Sequence, residues 1–180
     1  MTCIIGLVHK GKVYMGADSA LSNGHWTRVS TESKVFAVGE LLVATTGSPR
    51  YDQILKYQTT INPQDKGQSD QEYLVKHLIE PFRQTLKDHG FSTVETNEEM
   101  MVGHRGKLYT VYGDFQIQRF VDPFTAIGSA DQYALGAMSV LEGVSPRERI
   151  RKALKVAARF QPGNVQPPFT IMRAKEKYNE

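Results

Sequence analysis

The second residue of the chain, Thr2, has the side chain and the position that base-assisted nucleophilic chemistry requires. Removal of Met1 would leave Thr2 with a free α-amine next to its own hydroxyl. An α-amine has a pKa of about 7.7 to 8, so it can take the hydroxyl proton near neutral pH. A Met-Thr start also occurs in many chains without such chemistry, because a small second residue lets the first methionine be trimmed. Thr2 is therefore a hypothesis that the rest of the sequence must decide.

Two charged residues that follow Thr2 could tune such a nucleophile if the fold brings them close to it. Asp18 lies sixteen positions after Thr2, and Lys34 lies thirty-two positions after it. An ammonium such as that of Lys34 would lower the pKa of a nearby amine and hydroxyl, and Asp18 would keep Lys34 charged and in place. Taken singly, Asp18 also fits a turn at a strand end, and Lys34 fits a solvated surface lysine.

Two short turns supply further candidates. In Thr46-Gly47-Ser48, Gly47 can offer a backbone N–H to an oxyanion where a side chain would obstruct the substrate. A helix predicted to open at Ser48-Pro49 would add the positive end of its dipole. In the second turn, Ser129 forms a capping-box pattern with Gln132, which predicts a helix N-cap at Ser129.

The elements that must position these residues follow from periodicity and turn signals. Apolar β-prone runs predict strands, the first two joined as a hairpin by His9-Lys10-Gly11, at Cys3–His9, Lys12–Asp18, Thr27–Thr31, Lys34–Val38, Leu41–Thr46, Glu98–Val102, Lys107–Tyr112, Phe115–Phe120, Phe124–Ile127 and Phe169–Met172. A two-residue turn is predicted at Gly113-Asp114. Helical spacing predicts helices after Ser48, Ser69, Ser129 and Ser145, and Pro81 should kink or divide the second of them.

This order of elements predicts the fold class. Strands, two helices, strands, two helices and a closing strand make an α+β protein. Two antiparallel sheets with helices outside both give a four-layer αββα sandwich. A chain of 180 residues fills one core, so a single domain over residues 1–180 is expected.

Composition and charge exclude several classes of function. The net charge of +3 is mild and is not collected in a tail, which argues against a dedicated nucleic-acid binder. The apolar run Cys3 to Val8 is too short for a membrane span and has no basic region before it. Because Cys3 is the only cysteine, no internal disulfide can form and a cytoplasmic location is expected.

Metal, cofactor and phosphate sites are not expected. The five histidines are scattered and lack the spacing of a metal motif. Gly103 to Lys107 is too short for a phosphate loop and lacks its Ser or Thr. The predicted last helix carries a basic face without interleaved aromatic residues, which is typical of a solvated or subunit-contact face.

Taken together, these motifs resemble the N-terminal-nucleophile (Ntn) hydrolases of the proteasome β-subunit and HslV class. The likeness is carried by Thr2, by Gly16-Ala17-Asp18-Ser19-Ala20, by Lys34, and by the two Gly-Ser turns at 47–48 and 128–129. It covers residues 2 to about 158, with the elements in the family's order. The segment 124–129 and the two helices after it look most like HslV.

The resemblance implies a threonine peptidase. Thr2 would be the nucleophile, Asp18 and Lys34 its tuning pair, Gly47 the oxyanion donor, and Ser129 the residue that orients the amine. In this family the substrate lies as an added strand, so Leu21, Ser22 and Gly47 are the implied substrate-binding positions. The family also implies a homo-oligomeric ring stack that degrades unfolded protein or peptide, served by an ATP-dependent unfoldase.

The sequence departs from the family pattern at one place near the nucleophile. Many members carry an Asp and a Ser in the segment after the last long helix, whereas residues 158–164 contain no carboxylate. Orientation of the amine would then rest on Ser129 alone or on Asp131. Two alternatives therefore stand beside the peptidase: a catalytically silent ring or scaffold subunit, and a relative that hydrolyses non-peptide amides.

Overall fold

The computed structural model describes residues 2–91 and 98–175. Its strands are β1 Ile4–His9, β2 Lys12–Ala17, β3 Ala20–Ser22, β4 Thr27–Val29, β5 Val35–Val38, β6 Leu41–Thr45, β7 Met100–His104, β8 Lys107–Val111, β9 Ile117–Gln118, β10 Phe124–Ile127 and β11 Thr170–Arg173. Its helices are α1 Pro49–Tyr57, α2 Asp70–Tyr73, α3 Glu80–Asp88, α4 Asp131–Val140 and α5 Pro146–Phe160, with a π-helical segment, Leu74–Ile79, between α2 and α3.

The strands form two antiparallel sheets and a small ribbon. Sheet I has the order β10-β1-β2-β11, and sheet II has the order β5-β6-β7-β8-β9. The predicted first hairpin is present, with Ile4 opposite Ala17 and His9 opposite Lys12. The short strand β3 was not predicted, and it pairs with β4 as a separate ribbon. Because β1 and β2 pair along their whole length, Thr2, just before β1, and Asp18, just after β2, lie at the same end of the hairpin.

Three apolar clusters show that the layers are stacked as helix, sheet, sheet, helix. The middle cluster lies between the sheets and includes Ile4, Met15, Leu42 and Met101. On the outer face of sheet II, α1, the π-helical segment and α3 bury a cluster that contains Ile54, Leu78 and Phe82. On the outer face of sheet I, α4 and α5 bury Cys3, Ile5, Met138 and Leu154. The predicted α+β, four-layer αββα sandwich is confirmed.

Helix ends agree with their capping residues in three cases. Ser48, Ser69 and Ser145 each precede a helix, and each side chain accepts a backbone N–H from the first turn. Pro81 falls in the first turn of α3, directly after the π-helical segment. Because proline has no N–H and crowds the carbonyl four residues back, a change of helical hydrogen bonding is expected there. Pro81 therefore marks a division of this helix.

One local prediction was incomplete and one was wrong. The predicted turn at Gly113-Asp114 is present, closed by the Phe115 N–H and the Tyr112 carbonyl, but the connection also includes Phe115, which has a φ of +68°. Ser129 is not an N-cap, since Ala130 holds that position without a side-chain hydrogen bond. The Ser129 hydroxyl is instead directed to the start of the chain.

Candidate active site

Three of the predicted site residues meet at one point. Lys34 Nζ donates to Thr2 Oγ1 at 2.9 Å and lies 2.9 Å from Asp18 Oδ1. All three side chains lie largely inside the protein: Thr2 is 4% exposed, Asp18 is 1% exposed, and the Lys34 side chain is 13% exposed. Such an ion pair is screened little by water and holds the ammonium beside the hydroxyl.

The first hairpin brings Thr2 and Asp18 together. Thr2 directly precedes β1 and Asp18 directly follows β2, and these two strands pair in register. Asp18 is anchored further by backbone donors, since its Oδ1 accepts the Cys3 N–H at 3.0 Å and its Oδ2 accepts the Ala20 N–H at 2.7 Å. Backbone donors stabilise a carboxylate in its charged form. Lys34 arrives from the residue before β5, on the neighbouring sheet.

A second turn holds the backbone of Thr2. The Thr2 nitrogen donates to Ser129 Oγ at 3.3 Å, and Ser129 Oγ lies 3.5 Å from the Thr2 carbonyl oxygen. The residue before Ser129, Gly128, has a φ of +97°. A Cβ at Gly128 would lie 2.5 Å from the Thr2 carbonyl oxygen. Any side chain at position 128 would displace Thr2, so the glycine allows Ser129 to reach the Thr2 nitrogen.

The proposed oxyanion turn lies at the end of β6. Gly47 has a φ of +81°, and a Cβ at this position would fall 1.0 Å from Glu98 Oε2. Ser48 begins the next helix as its N-cap, with Pro49 at the first helical position. The turn thus combines a left-handed glycine with the positive end of α1, as the sequence predicted.

The predicted substrate-binding residues border the same site. Leu21, Ser22 and Gly47 line a cavity of about 40 Å³ whose wall also includes Thr2 and Lys34. A cavity of this size leaves room for a small group beside the nucleophile.

Asp131 has a different place. It opens α4, and its Oδ1 accepts the backbone N–H of Gln132 at 2.6 Å. It borders a second cavity together with Glu99 and Asp122. The segment 161–168 approaches the site through Ser19, whose N–H bonds to the Gln166 carbonyl and whose hydroxyl donates to the Pro168 carbonyl at 2.6 Å.

Cys3, the neighbour of Thr2, is chemically quiet. Burial raises the pKa of its thiol to about 12, and the carboxylates of Asp18 and Asp131 act in the same direction. The thiol packs in the cluster beneath α4 and α5. A neutral thiol is a poor nucleophile, so the expected buried-strand role of Cys3 agrees with its surroundings.

Sequence reasoning missed Glu99, which links the two turns. Its Oε2 accepts the Gly128 N–H at 3.1 Å, while its backbone N–H and carbonyl both bond to Thr46 at 2.8 Å. One residue thus connects the Gly128–Ser129 turn with the Thr46–Gly47 turn. No local motif marks Glu99, because its partners lie 29 and 53 positions away in the chain.

Sequence reasoning also missed Asp52, which lies on α1 in the wall of the small cavity. Burial raises the pKa of the Asp52 carboxyl to about 6, although a hydrogen bond from the Thr45 hydroxyl opposes this shift. No sequence pattern marks Asp52, because its place in the cavity wall depends on segments that meet only in the folded chain.

Two classes of site find no support in the described ranges. Within residues 2–91 and 98–175, no three acidic, histidine or cysteine side chains are grouped so that they could hold a metal ion. None of the helices in these ranges is both long and apolar enough to cross a bilayer.

Comparison with known proteins gives one kind of match. No protein-family model matches the chain, and no curated protein matches it. Solved structures do match, and the BPH, HslV and Anbu structures among them are Ntn-type, proteasome-related folds. BPH of Thiobacillus denitrificans is 19% identical, with a TM-score of 0.81, over 98% of this chain and 100% of BPH. BPH in complex with epoxomicin is 20% identical, with a TM-score of 0.79, over 97% of this chain and 100% of the other.

A third matching structure is an HslV, the class that the sequence resembles. The eukaryotic HslV of Trypanosoma brucei is 14% identical, with a TM-score of 0.70, over 97% of this chain and 99% of HslV. Identities of this size support a shared fold and leave the activity open. The chain has the Ntn-type fold of the proteasome-related proteins, as its resemblance to the proteasome β-subunit and HslV class predicted.

Proposed function

We propose that this protein is a threonine-type hydrolase that cleaves peptide bonds, with Thr2 as the nucleophile once Met1 has been removed. The observation that supports this most is the position of Lys34 Nζ, 2.9 Å from both Thr2 Oγ1 and Asp18 Oδ1. A structural lysine needs only the carboxylate. The additional hydrogen bond to a hydroxyl at the head of β1 is what nucleophilic chemistry requires.

The chemistry proceeds in two steps. The Thr2 amine takes the proton of the Thr2 hydroxyl, and the oxygen attacks the substrate carbonyl. The oxyanion accepts a hydrogen bond from the Gly47 N–H, and the amine returns the proton to the leaving nitrogen as the peptide bond breaks. Water, activated by the same amine, then hydrolyses the ester on Thr2. The positive charge of Lys34 favours loss of the Thr2 hydroxyl proton, and Asp18 holds Lys34 beside that hydroxyl.

Assembly and partners extend this proposal. The matched proteins are ring-forming proteasome-like proteins, which supports an oligomeric ring for this chain. The outer face of α4 and α5 carries exposed Tyr133 and Phe160, whose rings stack with centroids 5.4 Å apart. Exposed aromatic residues of this kind are enriched in protein interfaces. A homo-oligomeric ring stack that receives unfolded chains from an ATP-dependent unfoldase in the cytoplasm fits both points.

Peptide hydrolysis by the purified protein tests the proposal. Wild-type protein that has lost Met1 should cleave a fluorogenic peptide, and Thr2→Ala should abolish cleavage. Thr60→Ala, at an exposed position of the loop after α1, is the matched control and should keep full activity. Turnover of small amides without turnover of peptides would correct the substrate class. A retained Met1 with no hydrolysis would favour a silent scaffold subunit.

A further inference from the structure

A second cavity, of about 290 Å³, lies beside the turn that holds Thr2. Its wall includes Ile127 of β10 on sheet I, Thr110 of β8 on sheet II and Leu135 of α4, so it lies along the edge of β10, next to both the inter-sheet layer and α4. Ser129, which accepts the hydrogen bond from the Thr2 nitrogen, stands between the lining residues Ile127 and Asp131. The cavity is thus separated from the nucleophile by one turn of chain.

The wall of this cavity is acidic and aromatic. It contains the carboxylates of Glu99, Asp122 and Asp131, and none of the described residues that line it is a lysine, arginine or histidine. Aromatic side chains complete the wall, namely Tyr112, Phe120 and Phe124. One of these rings already binds a cation, since the Arg149 guanidinium lies 5.2 Å from the centroid of Phe124. Carboxylates combined with aromatic faces suit an organic cation with an apolar stem.

A buried hydroxyl in the same wall lacks a hydrogen-bond partner. Thr110 is 2% exposed, and its Oγ1 has no hydrogen bond within the described part of the protein. Its neighbours Tyr109 and Val111 face the outer core of sheet II, while Leu108 packs between the sheets. Because side chains alternate along a strand, Thr110 faces the layer between the sheets, where the cavity lies. An unpaired buried hydroxyl is costly, and a ligand donor in the cavity would satisfy it.

The strand that flanks the cavity is open along one side. In the described residues β10 is the edge strand of sheet I and pairs only with β1. The outer edge of such a strand presents backbone N–H and C=O groups to which an extended peptide can bond. A polypeptide bound along this edge would start near Ser129 and place alternate side chains over the cavity.

From these observations we infer that the cavity is a substrate subsite for a Lys or Arg side chain of a polypeptide bound along β10. The ammonium or guanidinium would lie among the carboxylates and donate to Thr110 Oγ1, with its stem against the aromatic rings. The inference rests on the proposed function, because it assigns a subsite for a part of the polypeptide substrate that lies beyond the small cavity lined by Leu21, Ser22 and Gly47. A metal ion does not suit the cavity, since no metal-binding group of three such side chains is found among the described residues.

The test measures binding without turnover, by ligand-observed NMR on the Thr2→Ala protein in its native assembly. The probes are acetyl-Ala-Lys-Ala-amide and its norleucine analogue, which differ by one charged group. We expect the lysine peptide to bind about tenfold more tightly at low salt, and the preference to shrink in 1 M salt. Thr110→Val and Asp122→Asn should each reduce the preference to about twofold or less. Asp65→Asn, which removes an exposed carboxylate in the loop before α2, should leave it unchanged.

Defined results would overturn the subsite. They are equal affinities for the two peptides, an unchanged preference in Asp122→Asn, or the same loss in Asp65→Asn. A change of oligomeric state in Asp122→Asn, with peptide binding unaltered, would assign the cavity to another copy of the chain and also overturn it. Asp122 is exposed, so its variant keeps the test valid if Thr110→Val fails to fold. Wild-type hydrolysis without lysine preference would reject the subsite alone, whereas lysine preference without wild-type hydrolysis would reject the proposed function alone.

Discussion

Two clusters of charged and polar side chains lie at opposite ends of the first hairpin, and they differ in what their polar atoms contact. At the Thr2 end, Lys34 and Asp18 form an ion pair that also reaches a hydroxyl. At the other end the β1–β2 and β7–β8 turns touch, since a Cβ at Gly106 would lie 2.4 Å from the Gly11 carbonyl oxygen. There His104 and Lys107 surround Asp70, the first residue of α2.

The polar atoms of the Asp70 cluster bond to one another and link the start of α2 to β7 and β8. Gln64 Nε2 donates to the Gln68 carbonyl at 2.8 Å and to Asp70 at 3.2 Å, so its Oε1 faces His104 Nε2 at 2.8 Å. Burial alone would raise the pKa of Asp70, but hydrogen bonds from Lys107 and Gln64 outweigh it and hold that pKa below its usual value. A lysine–carboxylate pair is therefore not itself a sign of catalysis. The Thr2 cluster differs because its lysine bonds to a hydroxyl next to a cavity.

The largest difference between the two clusters should come from removing each lysine. Lys34→Met should lower peptide hydrolysis by about 10³-fold, because the hydroxyl loses the ammonium that lowers its pKa. Lys107→Met, the matched variant in the Asp70 cluster, should leave hydrolysis within about twofold. Steady-state kinetics on both variants measures the contrast. Equal losses in the two variants would remove the distinction between a reactive and a structural cluster.

A smaller loss is expected from the residue that links the two turns of the Thr2 end. Glu99→Gln weakens the acceptor for the Gly128 N–H, so Ser129 should hold the Thr2 amine less well. We expect kcat to fall about tenfold with KM nearly unchanged, and the pH profile of kcat to shift, because the amine is the base. Glu142→Gln, at an exposed position, is the control. A change in KM alone would assign Glu99 to substrate binding.

Stability should respond to pH in opposite directions at the two ends, and Asp52 provides the first case. Its folded-state pKa, about 6, lies above the usual value of 3.8, so its contribution to stability is complete below pH 4 and is lost as the pH rises through 6. In the wild-type protein the free energy of unfolding should therefore fall by on the order of 2 kcal/mol over this range. In Asp52→Asn this fall should be absent. Chemical denaturation of both proteins from pH 4 to pH 7 measures it. Parallel curves would contradict the raised pKa.

His104 provides the opposite case and the smallest expected effect. Burial lowers its pKa, against the attraction of Asp70, so folding disfavours the protonated form. Its contribution to stability is complete above pH 6.5 and is lost as the pH falls below that value. Wild-type protein should lose more stability than His104→Gln between pH 7 and pH 5, by the same denaturation assay. A larger loss in the variant would show that His104 is protonated in the folded protein.

Local signals in the sequence predicted much of the fold, and long-range contacts explain what they missed. Apolar runs, caps and turns predicted the hairpin and the helices after Ser48, Ser69 and Ser145, because each depends on neighbouring residues, and the order of these elements predicted the four layers. The added residue of the β8–β9 turn was missed because Phe115 adopts a positive φ that its side chain does not favour. Ser129 was predicted as an N-cap because the capping-box pattern considers only neighbouring residues. Its actual partner, Thr2, lies 127 positions away in the chain.

The candidate site divides in the same way. The resemblance predicted that Thr2, Asp18 and Lys34 act together. In the structure Lys34 hydrogen-bonds to both of the others, since all three residues lie at the ends of predicted strands. Glu99 and Asp52 carry no sequence pattern, because their roles arise where separate segments meet. Their assignment needed coordinates.

The reaction of Thr2 with a peptide epoxyketone tests the central claim most directly. Epoxomicin, which is bound in one of the matched BPH structures, offers two electrophilic carbons that the hydroxyl and amine of one N-terminal threonine can both attack. Intact mass and peptide mapping should show a chain that lacks Met1 and carries one inhibitor on Thr2, with no adduct in Thr2→Ala and a strongly slowed reaction in Lys34→Met. A wild-type chain that has lost Met1 and remains unmodified, or is modified elsewhere, would contradict Thr2 as the nucleophile.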